Sequence, residues 1–444
     1  MTNRCTAIFD IGKTNKKLVV FDHKYQLLHL EEIQLAQGHD EDGFECEQID
    51  LLQNWIFETL DRLLFELKIP ITHLNFSTYG ASLIHLSEKD EVLTPLYNYL
   101  KEVDEDYIEQ WYKEYGDGLD LDESLGSPRA GFLNSGMQLL WLSKTKPELF
   151  DRIRWSLHLP QYLSFLIHGA KHAEYTSLGC HTALWDYRNN DYHYWVKNEK
   201  LLSKFPALIK GNTCFKAKYK NHEFLVGAGI HDSSASLLPY IQCADEKFIL
   251  MSTGTWVVVF FPFEDEHQKI AHPLKYLQVN SNQTQAVRLL IGKEYEYQLE
   301  KISQKFEVET SSLHELPLEK SRLEQSQKGS CFEFKYLDND KYKDKVELSS
   351  AEQAIHQLNF ELCEKLVQAM KIDTKSNMTI YIEGGFTKNK FFLASLQNHL
   401  PKVKIFTASQ ALGTALGAAL VLEESSKINF DFKENYKLIE YLDN

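Results

Sequence analysis

Four short segments of this 444-residue chain gather side chains that can bind or move charge. In the first, Asp10 ends the apolar run Ala7-Ile8-Phe9 and meets a turn of Gly12, Lys13, Thr14, Asn15, Lys16 and Lys17. A carboxylate at the end of an apolar strand needs partners, because an unpaired buried charge is costly. Backbone N–H groups, a hydroxyl and ammonium groups in one turn favour a phosphate. Asp10 beside phosphate suits Mg2+ held through water, since that ion dehydrates reluctantly. Read alone, the same residues also make an ordinary solvated hairpin. The turn is neither a Walker loop nor a dinucleotide-binding loop, because GxxxxGK[ST] and GxGxxG are both absent.

The second segment, Ser252-Thr253-Gly254-Thr255, is uncharged and offers three hydroxyls for further phosphate oxygens, or forms a plain β-turn. The third is GAGIHDSSAS at 227–236. Its glycines let a ligand approach the backbone. Asp232 reads either as a helix N-cap or as a general base aimed at a hydroxyl. His231 could donate a hydrogen bond to a substrate hydroxyl, or serve structure alone. The fourth, IEGGFTKNKFF at 382–392, ends a strand in Gly384-Gly385, where a flat ring could lie against backbone. Asn389 could then reach the ring edge or a ribose.

The elements that position these residues alternate. Strand, polar turn and strand are expected around both 7–21 and 247–261, half a chain apart. They are chance hairpins or the heads of a duplicated architecture. Helical spacing marks 50–67, 134–149, 159–169 and 351–371, and a strand is expected at 73–80 and at 378–382. Residues 307–329 read as a loop or exposed helix. The small residues of SQALGTALGAALVLE at 409–423 predict a helix that packs closely, for instance onto a sheet. The fold class is α/β.

Composition excludes several classes. Lys and Arg number 48 against 63 Asp and Glu, a formal charge of −15, so a nucleic-acid footprint and a polybasic membrane patch are not expected. Apolar residues make up 43%, enough for large cores in two domains. Seven scattered cysteines without a CxxC make neither a disulfide framework nor a zinc site. No secretory segment or membrane-length apolar run is visible, so a cytoplasmic location is expected.

Taken in order, the four segments resemble the FGGY family of carbohydrate kinases, in the actin-like ATPase superfamily. DIGKTNKK is similar to the family's first phosphate turn, STGTW to its second, GAGIHDSSAS to its catalytic-aspartate segment, and EGGFTKN with ALGTALGAAL to its adenosine motif and closing helix. GFECEQID at 43–50, STYGAS at 77–82, NSGMQLLWLSKTKPELF at 134–150, LPQYLSFLIHG and EYTSLGCHTALWD are further landmarks. Lys13 stands where the family usually has Thr, Gln138 where it usually has Lys, and Phe386 where it usually has a third Gly. Residues 262–350 are the least family-like.

The resemblance implies two RNase-H-like lobes flanking a central cleft, an N-terminal sugar-binding lobe at 1–240 and a nucleotide-binding lobe at 241–444. Asp232 is implied as the base. Ser77, Thr78, Tyr79, Gly80, Ala81, Gln138 and His231 are implied for the sugar. Gly12, Lys13, Thr14, Asn15, Lys16, Thr253, Gly254, Thr255, Gly384, Gly385 and Asn389 are implied for ATP, with Asp10 ordering Mg2+. The His231-Asp232 pair is similar to that of kinases of L-rhamnulose and L-fuculose. A catalytically silent sugar- or nucleotide-binding regulator and a xylulose or polyol kinase are the alternatives. The partners implied are a sugar and ATP, with a homodimer allowed.

Overall fold

The computed structural model describes residues 4–103, 106–116, 119–244, 246–263, 274–326, 330–339, 347–373, 377–408, 412–423 and 436–441. They fall into two compact units. Of the described residues, the first takes those up to 243 together with 274–284 and 412–423, and the second takes those at 244–263, 285–408 and 436–441. The chain thus changes unit after Cys243, and two stretches of its C-terminal half fold with the N-terminal one.

The first unit contains β1 (Cys5–Ile11), β2 (Lys16–Phe21), β3 (Leu27–Ile33), α1 (Ile49–Asp61), β4 (Ile71–Thr78), α2 (Ser135–Thr145), α3 (Leu159–His168), β5 (His222–Gly227), β6 (Ile230–His231) and α4 (Asp232–Cys243). β1, β2 and β3 form an antiparallel meander. β4 runs parallel to β1, and β5 and β6 run parallel to β4. Side chains alternate across a strand, so Ala7, Phe9 and Ile11 share one face with Leu18, Val20, Leu74 and Phe76. That face packs on Leu52, Trp55, Ile56 and Leu60 of α1. Phe9 stacks on Phe76 at 5.6 Å and meets the edge of Trp55 at 5.3 Å. Each such buried side chain contributes roughly 1.5–3 kcal/mol. Asp10 is one residue out of phase and faces the other way.

Local rules end the helices. α3 starts with Pro160 in its first turn and closes at Gly169, whose φ is 79°. The single helix expected over 134–149 is two, because Pro147 lacks an N–H and starts a second helix, Pro147–Arg152. α1 ends in a π-helical turn at Arg62–Glu66.

The second unit contains β7 (Phe248–Thr253), β8 (Val257–Phe261), β9 (Gln283–Leu289), α5 (Ile291–Phe306), α6 (Ala351–Met370), β10 (Thr379–Gly384), α7 (Lys390–His399) and β11 (Lys404–Ala408). β7 pairs antiparallel with β8, and β8 antiparallel with β9. On its other side β7 pairs parallel with β10, and β10 parallel with β11. Order and sense repeat those of β3, β2, β1 and β4, so the two hairpins head sheets of one topology. Ile249, Met251, Val259, Ile380 and Ile382 pack against Ile355, Leu358 and Leu362 of α6. In 307–329, two short helices, Thr310–Glu315 and Lys320–Gln325, each bury one leucine, Leu313 and Leu323. Residues 327–329, like 264–273 and 340–346 of the least family-like region, lie outside the described residues.

The last helix described, α8 (Gly413–Leu420), belongs to the first unit. A Cβ at Gly417 would stand 1.8 Å from the Ala235 carbonyl oxygen, so only glycine lets α8 lie backbone to backbone on α4. The Asn75 amide donates to the Ala418 carbonyl at 2.9 Å. The close packing expected of this segment is present, and helix α4 is a main partner. Of the expected 409–423, residues 409–411 lie outside the described residues. Among the described residues, no helix is long and apolar enough to cross a membrane.

Candidate active site

Two carboxylates anchor the first unit's site. Asp10 is the penultimate residue of β1, on the face opposite the α1 core and in register with Lys17 and Ser77. Asp232 opens α4 directly after β6. Burial first, and the like charge of Asp232 second, lift Asp10 to about 7, with Lys17 opposing them. Ser233 donates to Asp232 Oδ1 from both its N–H (2.6 Å) and its hydroxyl (3.2 Å). The capping reading of Asp232 is thereby limited to its immediate neighbour. Its side chain remains 35% exposed, enough to meet a ligand. Mutually repelling carboxylates at a strand end and a helix start fit a divalent cation, which relieves both charges.

The turn between β1 and β2 is closed by the Gly12 N–H donating to the Asn15 carbonyl at 2.9 Å. Gly12, Lys13, Thr14 and Asn15 keep some exposure, and the Asn15 side chain accepts from Gln34 at 2.8 Å. Lys16 departs from the expectation of a phosphate ligand. It is fully buried, its Nζ lies 2.7 Å from Glu47 Oε1, and it donates to the Lys13 carbonyl at 3.0 Å. Its charge is neutralised by protein and braces the turn from beneath. Tyr79 joins this group by donating to Glu47 Oε2 at 3.1 Å. Glu47 lay within a quoted landmark, but nothing in its neighbours named Lys16 as its partner.

The approach to Asp232 is fixed from several sides. The carbonyls of Gly227, Ala228 and Gly229 accept in turn from Ser164, from His172 (2.9 Å) and from Gln161 (2.8 Å), while Gly229 N–H donates to Asn75 at 3.1 Å. Gly229 has φ 73°, and a Cβ there would strike the Pro160 carbonyl at 2.3 Å. These glycines serve close approach to protein and not, as expected, to a ligand. Beyond them His231 Nδ1 accepts from Ser233 N–H at 3.2 Å. Burial holds His231 below the ordinary imidazole range, the charge of Asp232 working the other way. The neutral ring therefore carries its proton on Nε2, 3.2 Å from Cys180 Sγ and 3.4 Å from Asp232 Oδ1. Gly80 leaves room for that edge, since a Cβ would sit 2.6 Å from Nε2. Ser77 and Thr78 lie at the end of β4, beside Ile230 and His231 in register. The Thr78 hydroxyl donates to Tyr79 O at 2.8 Å, and among the described residues the buried Ser77 hydroxyl has no partner.

In the second unit a cavity of about 500 Å³ opens beside the turn between β7 and β8. Gly254 and Thr255, Tyr295 and Glu296 of α5, His314, and Gly385 and Asn389 line it. That volume suits a nucleoside. The expected roles divide here. Thr253 is turned away, donating its hydroxyl to the Glu383 carbonyl and accepting from Phe386 N–H at 3.1 Å. Gly384, at φ 88°, backs onto the Thr253 carbonyl, whereas a Cβ at Gly385 would meet open space. Asn389 caps α7, accepting from Phe391 and Phe392 N–H at 3.1 Å each, and donates to Asn359 at 3.0 Å. It therefore forms part of the wall with its amide already occupied. Tyr295, Glu296 and His314 were missed by sequence reasoning. The spacing of Gly292, Tyr295, Glu296 and Leu299 along one helix face was the available signal.

Comparison with known families decides the kinship. The N-terminal domain of the FGGY family of carbohydrate kinases matches residues 5–231, and the FGGY C-terminal domain matches residues 245–429. The chain belongs to the FGGY family. A rhamnulokinase of Halalkalibacterium halodurans is 25% identical over 269 residues, 56% of this chain and 54% of that protein. The chain thus spans about half the length of the curated relatives it matches. A solved carbohydrate kinase of Novosphingobium aromaticivorans superposes with a TM-score of 0.76 at 20% identity, over 95% of this chain and 92% of that one. A ligand-bound xylulose kinase of Lactobacillus acidophilus does so with 0.76 at 17%, over 99% and 93%. These likenesses carry the fold.

Each departure from the usual FGGY residues has a local account. Lys13 Nζ lies over the rings of Tyr79 and Tyr99 at 5.6 and 5.8 Å, and burial lowers its pKa while Glu47 raises it. Gln138 is fully buried and donates to the carbonyls of Ala81 and Phe132 at 2.7 Å each. It holds Ala81 at φ 60°, a conformation unusual for a residue with a Cβ. Gln138 thus braces the strand end expected to meet the sugar, its amide protons already bound to protein. Phe386, in place of the third FGGY glycine, packs at 5.3 Å from Tyr295 and 4.6 Å from Phe392, giving the cavity an aromatic floor.

Proposed function

We propose that the chain is an ATP-dependent kinase that phosphorylates a hydroxyl of a ketose such as L-rhamnulose or L-fuculose, with Asp232 as general base. The observation that carries this reading is the placing of Asp10, late in β1, and Asp232, at the start of α4, as interacting carboxylates beside the Gly12–Asn15 turn, where burial first and the charge of Asp232 second lift Asp10 to about 7. Asp232 takes the proton of the attacking hydroxyl, and His231 Nε2–H orients either that hydroxyl or the carboxylate. Asp10, with Asp232 beside it, would hold Mg2+, which when bound offsets phosphate charge. Gly12, Lys13, Thr14 and Asn15 receive phosphate on the first unit; Gly254, Thr255 and Gly385 do so with the nucleoside on the second. Thr253, Gly384 and Asn389 shape that second site, and Lys16 and Gln138 the first. Ser77, Thr78, Tyr79, Gly80 and Ala81 form the strand end on which the sugar is read. Two features support a 6-deoxyketose, the His231-Asp232 pair and the rhamnulokinase among the relatives. A cytoplasmic location goes with this reading.

The test is ATP consumption across ketoses, aldoses and polyols, xylulose and glycerol included, with Asp232→Asn as the blank. We expect turnover with a 6-deoxyketose, and a loss of about a thousandfold or more in kcat for the variant with ATP binding retained. Wild-type turnover in Asp232→Asn would remove Asp232 from the role. Ligand binding without ATP consumption on any sugar would point to a silent binder.

A further inference from the structure

A buried chain of hydrogen bonds reaches the candidate base from a segment without a role so far. Glu174 is fully buried and accepts from the Thr176 N–H (2.8 Å), the Thr176 hydroxyl (2.7 Å) and the Ser177 N–H (3.1 Å). With its proton directed at Glu174 Oε2, the Thr176 oxygen is free to accept, and it does so from the His231 N–H at 2.9 Å. Thr176 is fully buried and His231 nearly so. β6 is two residues long and pairs with β4 along one edge, through Ile230 with Ser77 and His231 with Thr78. The Thr176 hydroxyl holds it along the other. Asp232 is the next residue, so the Ile230–His231 peptide held at the His231 N–H sets the path of the chain into Asp232.

We propose that Thr176, oriented by Glu174, is a positioning residue that fixes the Ile230–His231 peptide, through which the chain enters Asp232, and so aims the Asp232 carboxylate. This rests on Asp232 being the general base. The geometry separates it from simple helix capping. Capping of Tyr175–Leu178 uses the Thr176 and Ser177 N–H groups, whereas only the hydroxyl of Thr176 contacts His231. A misplaced base loses proximity and alignment without losing ATP affinity, and small displacements have large kinetic effects.

The experiment compares Thr176→Val, which keeps shape and removes the hydroxyl, with Thr176→Ser, which keeps the hydroxyl. Turnover is measured on the sugar that the screen yields, or with water as acceptor where no sugar is consumed. We expect Thr176→Val to lower kcat by about tenfold or more with KM for ATP within about twofold, and Thr176→Ser to restore most of it. Glu174→Gln should lower kcat as well, and Glu174→Gln with Thr176→Val should be no worse than the worse single change, because both break one chain. Amide hydrogen exchange at His231 gives a readout independent of turnover. Its protection should fall in Thr176→Val and persist in Thr176→Ser. Wild-type kcat in Thr176→Val, multiplying effects in the double variant, or unchanged His231 protection would each overturn the proposal. A wild-type protein inactive with every acceptor overturns the functional reading instead, and the chain is then judged on His231 exchange alone.

Discussion

Lys16 and Glu47 form an ion pair out of water, and such a pair is costly to break from one side. Lys16→Met strands the Glu47 carboxylate beside Tyr79 and should destabilise the protein by about 3 kcal/mol or more. Adding Glu47→Gln, which still accepts from Tyr79, should recover much of that in a denaturant titration. Equal stability of the single and double variants would contradict the pairing. Glu174 offers a second test at this scale. Burial raises it to about 7, against its hydrogen bonds to Thr176 and Ser177. A carboxyl whose folded pKa lies above its unfolded value favours folding when protonated. Its contribution is therefore greatest below about pH 4.5 and is lost as pH rises through about 7, a change of roughly 3 kcal/mol at most. The fall in melting temperature between pH 5 and pH 8 should be shallower in Glu174→Gln than in the wild type. Identical slopes would mean that Glu174 does not titrate there.

At the scale of elements, the loop into α4 is held by three carbonyl contacts and one glycine that faces a neighbouring carbonyl. Gly229→Ala combines an unfavourable positive φ with a Cβ placed 2.3 Å from Pro160 O. We expect a loss of about 2 kcal/mol or more by thermal unfolding and a fall in kcat, since β6 and Asp232 follow directly. Unaltered stability would show that the loop relaxes. Much of this scale was legible beforehand. Apolar runs on either side of a polar turn foretold β1 and β7, Gly169 the end of α3, and the small residues of 409–423 a closely packing helix, expected for instance on a sheet and found against α4. Partners were not legible. Lys16 finds Glu47 31 positions away, the Gln138 amide the Ala81 carbonyl 57 away, and the Thr253 hydroxyl the Glu383 carbonyl 130 away. A polar residue in a turn looks the same whether it faces a ligand or a distant backbone group. The four segments were therefore found, while Lys16, Gln138, Thr253 and Asn389 were read outward when the structure turns their polar groups inward. The wall of Tyr295, Glu296 and His314 came from the stretch where motif likeness was thinnest.

For the whole molecule, the duplicated topology explains why two Gly-containing turns recur half a chain apart, each closed by one short backbone hydrogen bond, Gly12 to Asn15 and Gly254 to Trp256. The duplication is chemically unequal. Counting back from those glycines, Asp10 in β1 corresponds to Ser252 in β7, so the carboxylate is confined to the first unit. That unit is not contiguous in sequence. A fragment of residues 1–243 lacks the 272–284 stretch and α8, leaving α4 without the helix packed at Gly417 and Asn75 without the Ala418 carbonyl. It should be aggregation-prone or molten, and adding a peptide of residues 408–423 should improve its thermal transition. A cooperative, soluble 1–243 fragment would show that α8 is dispensable.

Because α8 closes on the helix that begins with Asp232, the order of synthesis matters. A ribosome makes residues 1–243 and must then add nearly 180 more before α8 emerges, roughly ten to thirty seconds at ordinary elongation rates. During that interval the small-residue face of α4 has no backbone against it. The nascent chain can thus be recognised by chaperones while those nearly 180 residues are added, and under the proposed function phosphoryl transfer starts only once α8 has docked.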